Sequence, residues 1–255
     1  SLCVAHSPFT ICEQLALLTE QVFWEYKDGL YPSPKFDDIG QDIKVMVSRI
    51  GKNVTLTTCI PVYMDKFKNI EEYNQILKKY EKILWDNAMK LQGIEDYNLS
   101  VEINKMANGD YLMYSLIKGS CIECGEEGVV GRGNGSQGII SAFRPHTVEA
   151  PAGKNERYHT GRVLSFLAER TVNRIYNECG VKASIYCLTK NKNKLLEPFL
   201  FYVSVDTNEN DDKIKQIATT LKEEKIKATM NGLSINDNDF SSRLDDLRKN
   251  RKRDK

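Results

Sequence analysis

The chain has 255 residues, a formal net charge of +1 at neutral pH and 28% charged residues. That length can bury a substantial core, and the balanced charge argues against a general nucleic-acid binder, which is usually clearly basic. No apolar run approaches the roughly 18 residues of a membrane helix, and no signal-peptide pattern opens the sequence, so no membrane association is expected.

The first predicted element is a helix over about 10–26. Leu15, Leu17, Leu18, Val22 and Phe23 share one face, and Thr10 with Glu13 fits a capping box. Pro32 and Pro34 then break the chain. Two strand-like runs occupy 42–62, and Gly51, Lys52 and Asn53 between them signal an antiparallel hairpin. Asn69 with Glu72 opens a second helix, whose apolar stripe is Ile70, Tyr73, Leu77, Tyr80, Leu84 and Leu91. Strand candidates at 98–105 and 110–118 are joined by Ala107, Asn108 and Gly109. After a long glycine-rich stretch, 156–179 predicts a helix with Val163, Phe166, Leu167 and Ile175 inward and Gly180 as its stop. Strands follow at 181–190 and 198–206, then a helix from Asp211 to Lys225.

Strand pairs alternating with helices point to an α+β fold of mostly antiparallel sheets, with two ββα-like blocks as a weak internal repeat. The expected domains are 1–119, a central α+β unit; 120–240, the glycine-rich loop with a C-terminal α+β unit; and 241–255, a basic, solvated tail. Seven cysteines, an odd number, are scattered through a chain too large to depend on disulfides, and read as reduced thiols of a cytoplasmic protein. Cys121 and Cys124 form one CxxC with no second pair or histidines at metal-finger spacing, so they read as two ordinary thiols.

The stretch from Gly125 to Asn155 is too long for an idle connection in a compact domain. Glycines let backbone amides approach an anion closely. Arg132 offers a planar fork suited to phosphate oxygens. Lys154 stands just before the predicted helix start at Glu156, and helix N-termini attract anions. A phosphate-rich ligand is one reading of this stretch; a surface loop with incidental charges is the other. The pattern is neither a Walker loop nor a dinucleotide fingerprint. Asp42 and Lys44 fall on one face of a predicted strand, with Ile43, Val45 and Val47 on the other. A carboxylate and an ammonium side by side can bind a polyol and a phosphate together, or simply face solvent at a sheet edge.

Several blocks together resemble the archaeal-type S-adenosylmethionine synthetase (methionine adenosyltransferase) family. They are GQDIKVM from Gly40, GVVGRGN from Gly128, Gly138-Ile139-Ile140, and EAPAGKN from Glu149, with His159 and Gly161 after it. The resemblance covers nearly the whole chain and is weakest past about Asn191. It implies repeated α+β units around a pseudo-threefold, a magnesium requirement, a monovalent cation such as K+, and an oligomer. It also implies transfer of the adenosyl group of ATP to the sulfur of methionine, with release of pyrophosphate and phosphate. Lys44 would contact the triphosphate near the breaking bond, and Arg132 and Lys154 would grip the polyphosphate, making these three the catalytic set. Asp42 would meet the nucleoside. Glu126, where the family usually has Asp, would touch substrate, and Asn134, Asn155 and His159 are further substrate-binding candidates. No metal ligand is assigned.

The chain departs from the family pattern in four places. The family extends further at the N-terminus, so this sequence is expected to start inside a site motif. Ala5-His6-Ser7-Pro8 stands where the family has GYAP, Glu126 is one methylene longer than the usual Asp, and Gly135 replaces an arginine. Two readings result. In one, the chain is the larger part of a working synthetase, completed by a segment outside it or by a separate subunit, with Cys3 and His6 at the interface. In the other, it is a non-catalytic paralogue that binds and regulates a true synthetase or binds nucleotide. The retained Asp42, Lys44, Arg132 and Lys154 favour the first; Glu126 and Gly135 favour the second.

Overall fold

The computed structural model of the chain describes residues 1–25, 33–106, 108–117, 135–141, 143–147, 151, 154–155, 158–195, 197–206 and 210–230. In chain order the elements are β1 (Leu2–Ser7), α1 (Ile11–Gln21), β2 (Trp24–Glu25), β3 (Ser33–Pro34), β4 (Lys44–Ile50), β5 (Asn53–Cys59), β6 (Val62–Tyr63), α2 (Ile70–Ala88), β7 (Asn98–Ile103), β8 (Ser115–Leu116), α3 (Thr160–Cys179), β9 (Ala183–Leu188), β10 (Leu200–Val205) and α4 (Asp211–Met230). The mix is α+β, as expected. Four of the six described strand pairings are antiparallel, while β5–β7 and β6–β8 are parallel. The chain forms two compact units: one from the described part of Thr10–Gly128, the other from Ser1–Phe9 with the described part of Val129–Phe240.

In the first unit, α1 starts at the expected capping box. Glu13 N donates to Thr10 Oγ1 at 3.3 Å, and Thr10 N donates to Glu13 Oε2 at 2.6 Å. The helix stops at Gln21 rather than near 26, because Trp24–Glu25 leaves it to pair with Ser33–Pro34. β4 and β5 form the predicted hairpin, closing at Ile50 opposite Asn53, with Gly51 at φ +60°. Burial alternates along β5. Val54, Leu56 and Thr58 point into the core, as a two-residue strand period requires. α1 lies against β4 and β5, and α2 against β7. Helix α2 begins at Asn69, whose Oδ1 accepts from Glu72 N at 2.9 Å. Tyr73, Leu77, Tyr80 and Leu84 form its buried stripe; Ile70 is 43% exposed, and Leu91 is buried just past the helix end.

Among the described residues, the strand candidates at 98–105 and 110–118 meet in one bridge, Lys105 opposite Tyr111. Asn104 sits at φ +48°, which breaks the strand, and the described part of 110–118 contributes β8, paired in parallel with β6. β7 instead pairs in parallel with β5, the connection between them running through α2.

In the second unit, β9 is the centre of a three-stranded antiparallel sheet between β1 and β10. β1, at the start of the chain, thus folds with the C-terminal half. α3 lies against β1 and β9, and α4 against α3. Cys3, Ala5, Val163, Leu167, Ile175, Ile185 and Ile214 belong to its core. α3 begins at Thr160, not at Glu156, and Phe166 is half-buried rather than inward. It ends as expected at Gly180, where φ is +70° and the backbone N–H donates to Tyr176 O at 2.8 Å. α4 runs past the expected Lys225 to Met230.

β1 is an edge strand, yet two side chains close its outer edge. Thr147 Oγ1 accepts from Val4 N at 2.6 Å and donates to Val4 O at 3.0 Å. Gln137 does the same for His6 through the two ends of its amide. Both side chains are buried.

Candidate functional site

Asp42 lies two residues before the first residue of β4, Lys44. The two are an ion pair, with Lys44 Nζ 3.3 Å from Asp42 Oδ2. Ile43, Val45 and Val47 pack against the core, so the predicted division between a charged and an apolar face holds. The segment is drawn inward at Gly40, whose N–H donates to Pro61 O at 2.7 Å. A Cβ there would lie 2.7 Å from Leu116 Cδ1 and 3.1 Å from Pro61 Cγ, so any other residue in the GQDIK motif at this point would require both neighbours to shift.

A third group completes the cluster. Tyr114 Oη donates to Asp42 Oδ2 at 2.7 Å, and Lys44 Nζ lies over the Tyr114 ring, 5.9 Å from its centroid. Sequence reasoning did not single out Tyr114. It stands 72 residues from Asp42, in a run that reads as ordinary strand, and no local signal marks it. With Asp42 and Lys44 side chains 27% and 53% exposed, their ion pair contributes little to stability, as half-solvated pairs do. The cluster presents a cation, a carboxylate and a phenol together at an accessible surface.

In the other unit, Lys154, Asn155 and His159 form a compact turn leading into α3. Lys154 N donates to Pro151 O at 3.2 Å, Tyr158 N to Asn155 Oδ1 at 3.2 Å, and His159 N to Asn155 O at 3.0 Å. Arg162 Nη1 donates to Lys154 O at 2.6 Å, tying the turn to the helix. Because α3 starts at Thr160, Lys154 does not adjoin the helix N-terminus as expected. His159 holds the N-cap position and makes no side-chain cap. Asn155 is exposed, and Lys154 and His159 are half-buried. Cys3 and His6 are buried inside this unit, not displayed at a surface, and Cys3 Sγ is 3.6 Å from Gly161 O. Glu126, Arg132, Asn134, Cys121 and Cys124 lie outside the described residues. None of the five described cysteines forms a disulfide. Among the described residues no group of three or more His, Cys, Asp and Glu could hold a metal ion, and no helix is long and apolar enough to cross a membrane.

Lys44, Asp42 and Tyr114 thus bring an ammonium, a carboxylate and a phenol together on an α+β unit. The family model described as S-adenosylmethionine synthetase (AdoMet synthetase) matches residues 1–235. The chain therefore belongs to the S-adenosylmethionine synthetase family, of the archaeal type. It is 30% identical over 235 residues to the S-adenosylmethionine synthase of Caldivirga maquilingensis, covering 89% of this chain and 55% of that one. The S-adenosylmethionine synthase of Methanococcus aeolicus is 33% identical over 215 residues, 82% of this chain and 50% of that one. An uncharacterised protein of Streptococcus pyogenes serotype M3 is 35% identical over 215 residues, 84% of this chain and 51% of that one. The chain spans about half the length of the curated relatives it matches.

Proposed function

We propose that the chain works as part or all of an S-adenosylmethionine synthetase, joining ATP and methionine in the cytoplasm. The observation that carries this is the Asp42–Lys44–Tyr114 cluster at the GQDIKVM motif, within a chain matched by the family over residues 1–235. In the reaction the methionine sulfur attacks C5′ of the ribose. The C5′–O bond breaks, its electron pair leaves with the triphosphate, and sulfur becomes a sulfonium. Water then cleaves the triphosphate to pyrophosphate and phosphate. Negative charge grows on the bridging oxygen as the bond breaks, and Lys44 is assigned to stabilise it, because a fixed cation lowers the barrier most where charge develops. Asp42, acceptor-only, suits the ribose hydroxyls. Lys154 and Arg132 are assigned to the polyphosphate, and Glu126, Asn134, Asn155 and His159 to substrate contacts. When bound, magnesium would share the phosphate charge; among the described residues no group of three or more His, Cys, Asp and Glu gathers for it, and a monovalent cation such as K+ is assigned from the family resemblance. We assign an oligomeric working form, with the remaining part of the relatives' length supplied by the same polypeptide or by a partner subunit.

The second reading, a paralogue that binds nucleotide or a true synthetase without catalysis, draws on Glu126 and Gly135. A product assay separates the two. The purified protein is given ATP, methionine and magnesium, alone and with a polypeptide covering the rest of the relatives' length. S-adenosylmethionine in either mixture supports the synthetase; ATP binding with no product in both supports the paralogue.

A further inference from the structure

Tyr114 is held by more than its own packing. Asn104, buried at φ +48°, imitates a strand for Ile60: its Oδ1 accepts from Ile60 N at 2.8 Å and its Nδ2 donates to Ile60 O at 2.7 Å. The same Nδ2 donates to Tyr73 Oη at 3.0 Å. Tyr73, fully buried on α2, donates its hydroxyl proton to Leu112 O at 2.9 Å and accepts from Tyr114 N at 2.9 Å. One donor and two lone pairs are thereby all in use. Leu112 N donates to Asn104 O at 2.5 Å, and Val62 N donates to Tyr114 O at 3.0 Å. The segment 112–114 is therefore fixed at both polar groups of Leu112 and both of Tyr114. Leu112 and Met113 are 53% and 51% exposed, so apolar burial does not hold this stretch. Hydrogen bonds from the core do, and they deliver one side chain, Tyr114, onto Asp42.

We infer that Tyr114 is the positioning residue for Asp42 and Lys44, set in place by Tyr73 and Asn104. Asp42 and Lys44 are opposite charges already in contact, with Nζ 3.3 Å from Oδ2. The phenol takes part of the carboxylate's acceptor capacity from a second direction, and its ring gives the ammonium an alternative surface to rest on. The ion pair that a ligand meets is thereby fixed in orientation at both of its members. The identity of that ligand as ATP rests on the synthetase reading.

The test is a double-mutant cycle on the full chain, with ATP affinity read by titration calorimetry in the presence of magnesium. Tyr114→Phe removes only a hydroxyl and keeps the ring. It and Asp42→Asn should each weaken ATP binding by about tenfold, the scale of one charge-assisted hydrogen bond. The double variant should bind no more weakly than Asp42→Asn alone, because Tyr114 acts through Asp42. Losses that multiply in the double variant, to about a hundredfold, would overturn the inference, as would Tyr114→Phe binding ATP like the wild type while Asp42→Asn does not. Asp42→Asn without effect, or no ATP binding by the wild type, would overturn the underlying reading as well.

Discussion

Gln137 holds the backbone of His6 from both sides. Its Oε1 accepts from His6 N at 3.0 Å and its Nε2 donates to His6 O at 2.8 Å, across 131 residues of sequence. With Thr147 on Val4 it takes the place of a neighbouring strand, which β1 lacks on this side among the described residues. An open edge would leave these peptide groups as a template for pairing with another chain. Gln137→Met and Thr147→Val each leave a buried N–H and C=O unpaired, and each should cost about 1–3 kcal/mol in urea unfolding. Thr147→Ser keeps the hydroxyl and should stay close to wild type. Amide exchange at Val4 and His6 should quicken in the first two variants and not in the third.

Asn104 is suited to its place twice over. It tolerates a left-handed backbone better than most residues, and its amide serves both polar groups of Ile60. Asn104→Asp keeps the shape but turns the donor facing Ile60 O and Tyr73 Oη into an acceptor. A loss of about 2 kcal/mol or more is expected in chemical denaturation. An unchanged midpoint would show that the network does not support the fold.

Lys44 is assigned to the transition state rather than to substrate binding. Lys44→Ala should lower the single-turnover rate by about a hundredfold or more while changing ATP affinity far less. Equal losses in rate and affinity, or none, would remove it from the role proposed.

Alkaline pH should unfold the first unit through Tyr80. Burial raises its pKa, and the Asp38 carboxylate that accepts its hydroxyl proton raises it further, since ionisation would set two anions together. A folded-state pKa above the unfolded value of about 10 means the unfolded chain releases the proton first. The stabilisation is complete below about pH 10 and is lost as pH rises beyond it. Tyr80→Phe should be less stable than wild type at pH 7, where Asp38 loses a donor, yet its stability should fall less steeply above pH 10. Urea unfolding across that range reads both effects.

Local features could be read directly from the residues. The Thr10–Glu13 capping box, the Asn69 cap, the turn at Gly51 and the stop at Gly180 all arise between residues a few positions apart, so the pattern contains its own cause. The buried stripe of α2 and the inward face of β5 follow from helix and strand periods in the same way. GQDIKVM pointed to Asp42 and Lys44 for a related reason, since a short motif keeps its residues neighbours in any fold. Tertiary packing settled the rest. That β5 pairs in parallel with β7 depends on how α2 returns the chain. That Phe166 is half-buried while Leu164 is fully buried depends on where the sheet meets α3. Tyr114 reaches Asp42, and Gln137 reaches His6, because core hydrogen bonds fix loops distant in sequence. One tyrosine or glutamine looks like any other until the fold selects which partner it will meet.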